Sequence, residues 1–316
     1  MIVTLTLNPS LDLTYHLAEE SLGAVDVHRT RASTVEASGK GVNVSRDLHA
    51  AGIASIAVLP TAGATGRHLA ELLTEAGLDH VDIEVGGETR INTSVLLPQG
   101  RTVKVNGPGT PVTENDLHAI LAHLDSTLAA LADDENSLVV AGSLPLGLDA
   151  SVVGEVIRLA RARGVATVVD ASGHALRVAL AAGADLLAPN EIELAELDGS
   201  EAEGGTSVAE VATLARRVAQ EYGVQLLVSM GAAGALHTDG ASVLHGSGPA
   251  LVPVNTAGAG DAFLAGWLAA PGTAEERMAR ALAWGRSACL APTTVDPAPG
   301  THGIEGITVT TLATPA

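Results

Sequence analysis

Short apolar runs rich in β-branched residues alternate with longer stretches of helical spacing along most of this chain. Runs of this kind are typical of buried strands, and the stretches between them are typical of helices packed on a sheet. The runs lie at residues 2–7, 55–59, 137–141, 166–170, 185–188 and 225–229. The helical stretches lie at residues 42–51, 67–76, 114–132, 150–163, 175–182 and 208–222. This alternation predicts an α/β fold with a mostly parallel sheet covered by helices on both faces.

Two segments break this alternation and predict a separate small sheet. Residues 88–106 contain two polar strands, 91–97 and 102–105, which are joined by a turn at residues 98–100. Residues 13–35 are also strand-like and contain no convincing helix. We therefore expect a small antiparallel lid beside the main sheet, built from segments at about 13–35 and 88–106.

The chain has 316 residues and no internal repeat or linker, so we expect residues 1–316 to form a single domain. It contains 17 Lys and Arg against 36 Asp and Glu, which gives a net charge of −19. Such an acidic surface repels phosphate backbones and anionic membranes, so the composition disfavours nucleic acid and membrane as partners. Lys40 and Lys104 are the only lysines, so an anionic ligand must be met by a few cations or by backbone amides.

Cysteine content and hydropathy favour a cytoplasmic protein. Cys289 is the only cysteine, which excludes a disulfide within the chain and a zinc cluster built from cysteines. The N-terminal segment lacks the basic region of a signal peptide, and no run of 18 apolar residues is present.

A glycine-rich segment at residues 255–261, Asn-Thr-Ala-Gly-Ala-Gly-Asp, carries the densest chemical signal in the sequence. It leads into an apolar helical stretch at 262–268, so its backbone amides and the helix dipole favour an anion there. Asp261 then has two interpretations. A carboxylate in the first turn can simply cap the helix. Alternatively, the amides hold a phosphoryl group in its transition state while Asp261 removes the proton of the attacking hydroxyl.

A second glycine turn, at residues 36–43, surrounds Lys40. Its lysine is either a solvated cation or the partner of a phosphate or polyhydroxyl ligand. A P-loop is excluded here, because it requires Gly where this chain has Thr34 and Ser or Thr where it has Gly41. The segment at 255–261 is not a dinucleotide fingerprint either, because Phe263 stands in the place of the third glycine.

Taken together, the motifs resemble those of the PfkB (ribokinase-like) carbohydrate kinases, and within them the branch of 1-phosphofructokinases and tagatose-6-phosphate kinases. The resemblance extends over nearly the whole chain and keeps the order of the family's motifs. The matching motifs are Asn8-Pro9-Ser10-Leu11-Asp12, Gly39-Lys40-Gly41-Val42-Asn43-Val44, Thr89-Arg90-Ile91-Asn92, Asn106-Gly107-Pro108-Gly109, Gly142-Ser143-Leu144-Pro145, Asp170-Ala171-Ser172-Gly173, Pro189-Asn190-x-x-Glu193, residues 229–234 and residues 258–261. The resemblance implies a ribokinase-like fold and an ATP-dependent kinase that acts on a sugar phosphate.

The resemblance also implies a role for each matching residue. It makes Asp261 the catalytic base. The anion hole for the transferred phosphoryl group would consist of the amides of Ala257, Gly258, Ala259 and Gly260. The residues implied for the sugar phosphate are Asp12, Gly39, Lys40, Asn43, Arg90, Asn92, Asn106, Ser143 and Arg29, the last reaching across a dimer. The residues implied for the nucleotide are Asn190, Glu193, Ser229, Met230, Gly231, Ala232, Ala233, Gly234, Thr256, Ala257 and Gly260, and Glu193 would also serve Mg²⁺ indirectly.

The implied cofactors are ATP and Mg²⁺, and the family also allows for a monovalent cation. The implied partners are a small sugar phosphate and a second copy of the chain bound through the lid. One departure concerns the nucleotide side, because Ala188 stands where the family usually has a lysine before Pro-Asn.

The substrate is the finer question. Lys40 and the Thr-Arg-Ile-Asn segment at 89–92 resemble 1-phosphofructokinases, so we expect fructose 1-phosphate to be converted to fructose 1,6-bisphosphate. Tagatose 6-phosphate and fructose 6-phosphate remain alternative substrates. An unphosphorylated sugar has no use for Lys40 and Arg90. A different class of function, motivated by Ala188, is a sugar-phosphate-binding regulator without catalytic activity.

Overall fold

The computed structural model describes residues 1–18, 27–98, 101–131, 136–199 and 207–313. The strands of these residues are β1 (Ile2–Leu5), β2 (Ser10–His16), β3 (Ala32–Ser38), β4 (Ser55–Ala62), β5 (His80–Val85), β6 (Arg90–Leu96), β7 (Thr102–Asn106), β8 (Ser137–Ala141), β9 (Ala166–Asp170), β10 (Leu186–Leu187), β11 (Gln225–Ser229), β12 (Ala235–Thr238), β13 (Val243–Ser247) and β14 (Thr308–Thr311). The helices are α1 (Lys40–Ala50), α2 (Gly63–Glu75), α3 (Glu114–Ala129), α4 (Ser151–Ala162), α5 (Gly173–Ala182), α6 (Glu191–Asp198), α7 (Val208–Tyr222), α8 (Ala259–Leu268) and α9 (Ala274–Leu290).

Ten of these strands form one large sheet, in the order β14-β13-β12-β11-β10-β9-β8-β1-β4-β5. Every neighbouring pair from β11 to β5 is parallel, which confirms the predicted arrangement. The last three strands, β12 to β14, add to one edge in antiparallel pairs. The parallel strands end at one common edge, where an open α/β sheet binds its ligands.

Helices cover both faces of this sheet. Strand β8 shows why, since successive side chains of a strand point to opposite faces. Leu138 and Val140 pack in a cluster with residues of α3 to α7. Val139, between them, packs with residues of α1, α8 and α9. Helices α1 and α8 therefore lie on the same face, and their N-termini meet at the ligand-binding edge.

The lid is the second sheet, with the strand order β3-β2-β6-β7. Its outer pairs, β2 with β3 and β6 with β7, are antiparallel as predicted. Its central pair, β2 with β6, is parallel, so the lid is mixed rather than wholly antiparallel. The reason is that β2 follows β1 and β6 follows β5, so both leave the same edge of the main sheet in the same direction. Of the predicted turn at 98–100, residues 99 and 100 lie outside the described residues.

Within the described residues, no helix is both long enough and apolar enough to span a lipid bilayer.

Candidate active site

A cavity of about 440 Å³ lies between the lid and the ends of the parallel strands. Loops that follow strands β1, β8 and β9 form one side of it, through Asn8, Gly142, Ser143, Ala171 and Ser172. Alternate residues of the lid strands face it from the other side, namely Ser10, Asp12, Thr14, Arg90, Asn92, Ser94, Leu96, Lys104 and Asn106. The cavity also includes Gly39, Lys40, Asn43, Glu193, Ala257 and Gly258, so both glycine turns converge on it.

Asp261 lies in the first turn of α8 and is only 7% exposed. The Asn43 side chain, from the first turn of α1, donates a hydrogen bond from Nδ2 to Asp261 Oδ2 at 2.7 Å. Burial and the negative charge of Asp170 raise the pKa of Asp261 to about 7, although the hydrogen bond from Asn43 opposes this rise. A carboxyl group with such a pKa can accept and release a proton near neutral pH, as a general base must.

The two glycines before Asp261 have different conformational requirements. Gly258 has a φ of 78° at the N-terminus of α8, and a Cβ there would collide with the backbone oxygen of Thr294. Only glycine adopts this conformation without strain. Gly260 has no such constraint, since a Cβ there would meet nothing within 4 Å. Of these two glycines, only Gly258 is therefore required by the backbone conformation at the start of α8.

The backbone amides of this segment are divided into two groups. The Ala257 amide donates to Asn255 Oδ1 at 3.0 Å, and the Ala259 amide lies 3.5 Å from the Thr256 oxygen. For the amides of Gly258 and Gly260, no described residue supplies an acceptor. Amides at the start of a helix have no acceptor within it, so these two are the donors open to an anion.

Lys40 is engaged with acidic groups. Its Nζ lies 2.7 Å from Asp170 Oδ1, at the end of β9. Burial alone would lower the pKa of Lys40, but the charge and hydrogen bond of Asp170, with Asp261 and Glu193 further away, raise it on balance. The lysine therefore remains charged and lies at the point where α1, β9 and α8 meet.

The residues predicted for the sugar lie mainly on the lid. Asp12 Oδ1 accepts hydrogen bonds from Ser10 Oγ at 2.7 Å and from Asn92 Nδ2 at 2.9 Å. Ser143, across the cavity, accepts a hydrogen bond from Asn8 Nδ2 at 3.1 Å. These contacts hold polar side chains around the centre of the cavity, where hydroxyl groups of a sugar can replace or extend them.

The other predicted sugar-phosphate residues have different environments. Gly39 has a φ of 122°, and a Cβ there would lie 2.7 Å from Thr6 Cγ2, so the start of α1 requires glycine. Arg90 is partly buried, which lowers its pKa. Arg29 is exposed and is not among the described residues that line the cavity.

The predicted nucleotide residues fall into two sets. Asn190 and Glu193 form a reciprocal capping box at the start of α6, where Glu193 Oε2 accepts from the Asn190 amide at 2.9 Å. Burial raises the pKa of Glu193, which also lines the cavity. The second set is the segment 229–234 after β11, where the Met230 amide donates to the Gly234 oxygen at 2.9 Å. This second set lies beside the cavity lining rather than in it.

Ala188, where a lysine was expected, packs its side chain against the core cluster of α1, α8 and α9. The substitution thus replaces a cation by a small apolar contact.

Several cavity residues were not predicted. Lys104, Ser94 and Thr14 line the cavity from the lid, and Asn255 and Thr294 line it near α8. The alternation of polar residues in the lid strands was a usable signal for the first three, because one face of a strand shares its surroundings. Asn255 begins the glycine-rich segment at 255–261, whereas Thr294 had no comparable signal.

Comparisons with known proteins identify a family that this chain matches over most of its length. The model of the pfkB family carbohydrate kinases matches residues 5–299. The chain is 34% identical to the 1-phosphofructokinase of Vibrio cholerae over 266 residues, which is 84% of this chain and 81% of that protein. It is 36% identical to the 1-phosphofructokinase of Rhodobacter capsulatus over 271 residues, again 84% of this chain and 82% of that protein. The crystal structure of phosphofructokinase-2 from Escherichia coli in complex with substrates and products matches with a TM-score of 0.86 at 29% identity, over 96% of this chain and 97% of that one.

The chain therefore belongs to the pfkB family of carbohydrate kinases. It is a phosphotransferase with a hydroxyl group as acceptor, and its fold is the predicted ribokinase-like one.

Sugar kinases of this family use ATP with Mg²⁺. Within the described ranges, no group of three or more His, Cys, Asp or Glu side chains could hold a metal ion unaided. The carboxylate of Asp170 is ion-paired with Lys40, and Glu193 lines the same cavity as Lys40. Because Mg²⁺ is commonly held by one or two carboxylates together with nucleotide phosphates, this donor set fits the ion.

Proposed function

We propose that this chain is an ATP-dependent 1-phosphofructokinase, which converts fructose 1-phosphate and ATP to fructose 1,6-bisphosphate and ADP. The observation that carries the proposal is the buried Asp261, with a pKa of about 7, beside the open amides of Gly258 and Gly260. A base and an anion hole side by side are what phosphoryl transfer to a hydroxyl requires. The names of the relatives from Vibrio cholerae and Rhodobacter capsulatus support the choice of substrate.

In the proposed reaction, Asp261 accepts the proton of the 6-hydroxyl as that oxygen attacks the γ-phosphate. Asn43 holds Oδ2 of Asp261 so that the carboxylate stays in position and ready to accept the proton. The amides of Gly258 and Gly260 and the charge of Lys40 stabilise the negative charge on the phosphoryl group in transfer. Asp170 and Glu193 would hold Mg²⁺, which neutralises charge on the nucleotide phosphates.

Asp12 and Asn92 are the proposed ligands of the sugar hydroxyls. Their mutual hydrogen bond fixes the Asp12 carboxylate on the cavity side of the lid, where it can accept from a hydroxyl. This position orients the sugar so that only one of its hydroxyls reaches Asp261. Orientation of this kind supplies a large part of the rate in phosphoryl transfer.

The alternative substrates are tagatose 6-phosphate and fructose 6-phosphate, the latter supported by the likeness to the Escherichia coli phosphofructokinase-2 in complex with fructose-6-phosphate. Purified protein should be assayed with all three sugar phosphates. We expect the highest kcat/KM for fructose 1-phosphate, by about 10-fold or more, which corresponds to about 1.4 kcal/mol of transition-state binding. A higher kcat/KM for another sugar phosphate contradicts the substrate, and tight binding without ADP production indicates the regulator.

We also propose that the protein forms a homodimer through the outer face of the lid. Residues between those that face the cavity point outward, and they include Val35, Ile91 and Val105, which are 42%, 44% and 64% exposed. Strand pairing places them on the same face of the lid as Leu13, with Thr93 between Leu13 and Val105, so this face is mostly apolar. Contiguous exposed apolar surface of this kind marks a site of association.

A further inference from the structure

The side-chain amide of Asn43 has two different ends, and only one of them suits a carboxylate. Its Nδ2 donates to Asp261 Oδ2 at 2.7 Å. If the amide rotated by 180°, Oδ1 would take the place of Nδ2 and turn an acceptor toward the carboxylate. Asp261 does not fix the amide by itself, because a protonated carboxyl group can also donate to Oδ1. A second contact at the other end of the amide is needed to hold it.

Ser38 supplies this second contact. Its hydroxyl donates to Asn43 Oδ1 at 3.3 Å, and the hydrogen bond is buried. Ser38 is 3% exposed, and it lies in the lining of the cavity. Two hydrogen bonds therefore follow one another in the same direction, from the Ser38 hydroxyl to the Asn43 amide and from the amide to Asp261.

The backbone around Ser38 is held firmly enough for this side chain to position another one. Ser38 is the last residue of β3 and is paired with β2. The oxygen of Ala37, just before it, accepts from Arg46 Nη1 at 2.7 Å. The oxygen of Gly39, just after it, accepts from the Asn43 amide N–H at 2.8 Å. Both partners of the contact thus belong to one fixed turn, as a positioning group requires.

The direction of the two hydrogen bonds determines their effect on the base. A donor to Oδ1 polarises the amide and strengthens the bond that Nδ2 makes, because successive hydrogen bonds reinforce one another. A stronger bond from Nδ2 favours the charged form of Asp261, since a hydrogen bond to the charged form stabilises it.

Several charged groups also act on Asp261. The charges of Asp170 on β9 and Asp12 on β2 raise its pKa, and the charge of Lys40 on α1 lowers it. Asp47, on α1, is coupled to Asp261 by charge as well. The uncharged Ser38 adds nothing to this field directly, so its influence passes through the Asn43 amide.

We propose that Ser38 is a positioning residue for the base, and that its hydroxyl holds the Asn43 amide with Nδ2 toward Asp261. The consequence for turnover rests on the proposed kinase function, in which Asp261 is the base.

The first test is the pH dependence of kcat/KM for fructose 1-phosphate in Ser38→Ala, which removes the hydroxyl and keeps the Cβ. The bond from Asn43 lowers the pKa of Asp261, so weakening it should raise that pKa. We expect the acidic limb to move to higher pH by about half a unit, because the amide remains but is no longer polarised or held.

The matched control is Ser45→Ala. Ser45 is a second buried serine of α1, and it is hydrogen-bonded to Thr4 Oγ1 at 2.9 Å. It is not among the described residues that line the cavity, so the acidic limb should stay in place in this variant.

A double-mutant cycle tests the route through Asn43. Added to Asn43→Ala, the Ser38→Ala change should cause no further shift, because its partner is already gone. An unshifted limb in Ser38→Ala, an equal shift in Ser45→Ala, or a full further shift in the double variant overturns the proposal. A higher KM for fructose 1-phosphate with an unshifted limb also overturns it, and makes Ser38 a ligand of the sugar instead.

Carbon-13 NMR titration of the Asp261 carboxyl group, assigned with Asp261→Asn, separates this inference from the proposed function because it needs no turnover. If the wild-type protein forms no ADP but the pKa of Asp261 is higher in Ser38→Ala, the kinase proposal fails and the role of Ser38 is supported. If the pKa of Asp261 is the same in the wild type and in Ser38→Ala, the role of Ser38 is overturned, whether or not the protein is a kinase.

Discussion

Asp261 differs from the first-turn acids that cap their own helices in the described chain. Asp116, Glu210 and Glu276 each accept a hydrogen bond from the backbone of their own N-cap residue, as capping boxes do. Asp261 instead accepts from Asn43, which lies 218 residues away in the sequence. Of the two interpretations that the sequence allowed, this contact favours the general base over the cap.

The Asn43 contact predicts a shift in the pH dependence of activity. Its hydrogen bond lowers the pKa of Asp261, so Asn43→Ala should raise that pKa and move the acidic limb of kcat/KM to higher pH. We expect a move of about one unit or more, since a hydrogen bond to a charged group contributes about 1.5–3 kcal/mol against 1.36 kcal/mol per unit. The control is Asn92→Ala, which removes an amide bonded to Asp12 instead. An equal shift in both variants, or in neither, contradicts the proposed base.

Asp47 is a second buried acid, one helical turn after Asn43 in α1. It is fully buried, and neither carboxylate oxygen has a hydrogen-bond partner among the residues that the structure describes. Burial, together with the charge of Asp261, raises its pKa well above the ordinary value. A group whose pKa is raised on folding stabilises the protein below its unfolded pKa, near 4, and loses that contribution as pH rises.

The free energy of unfolding of Asp47→Asn should therefore decrease less than that of the wild type between about pH 4 and pH 8. Above neutral pH we expect the variant to melt a few degrees higher than the wild type, where roughly 1 kcal/mol corresponds to about 2–4 °C in a large domain. The difference should vanish toward pH 4. Differential scanning calorimetry over this pH range measures the difference in Tm between Asp47→Asn and the wild type. If the variant gains no stability over the wild type as the pH rises from 4 to 8, the prediction is contradicted.

The sequence allowed the candidate residues to be named but not their partners. The ion pair of Lys40 with Asp170 joins residues 130 positions apart, and no local pattern contains it. Lys104 was not predicted either: the alternation in its strand gives two faces, and the pairing of β6 with β7 shows which of them is turned toward the cavity. A motif can be recognised from neighbouring residues in the sequence, whereas the partner of a charged side chain is determined by the tertiary fold.

At the scale of the elements, the start of α8 combines a structural requirement with a chemical one. Gly258→Ala forces a Cβ into the left-handed region and against Thr294, so it should lower the free energy of unfolding by about 1–3 kcal/mol. Gly260→Ala should leave stability unchanged or raise it by about 0.5–1 kcal/mol, since Gly260 lies within the helix in open space. Urea unfolding measures both, and equal losses in the two variants contradict this division.

The same pair of variants separates stability from activity. Gly260→Ala should lower kcat despite its intact stability, because the added methyl group stands beside an amide proposed for the phosphoryl group. Retained kcat in a stable Gly260→Ala protein would show that this amide is not part of the anion hole.

Most strands of the parallel sheet were predictable because each is a short apolar run. The edge strand β5 was missed, because its apolar residues alternate with charged ones. The strands β12 to β14 were missed, since their pairing depends on the edge left open by β11. The parallel pairing of β2 with β6 was missed as well, because the two strands are distant in sequence and no local pattern links them.

At the scale of the whole molecule, the lid has a polar face toward the cavity and an apolar face away from it. Ile91→Lys, on the outer face, should convert the proposed dimer to monomers and weaken association by roughly 30-fold or more, as for a hot spot of about 2 kcal/mol. The control is Val252→Lys, since Val252 is 87% exposed but lies outside the lid. Analytical ultracentrifugation measures both, and a monomeric wild type or an intact Ile91→Lys dimer contradicts the proposal.

The net charge of −19 has a consequence at this scale too. No general positive field draws in a phosphorylated substrate, so binding depends on placed groups. These are the amides at the start of α8, Lys40, and the lid cations Arg90 and Lys104.

The central claim is that Asp261 is the base of a kinase acting on fructose 1-phosphate. The most direct measurement is kcat of Asp261→Asn with fructose 1-phosphate, ATP and Mg²⁺, with Asp82→Asn, an exposed residue of β5, as the matched control. We predict a loss of about 10²- to 10⁴-fold in Asp261→Asn, which is the usual contribution of general-base catalysis, and an unchanged rate in the control. Turnover of Asp261→Asn within a few-fold of the wild type would contradict the account.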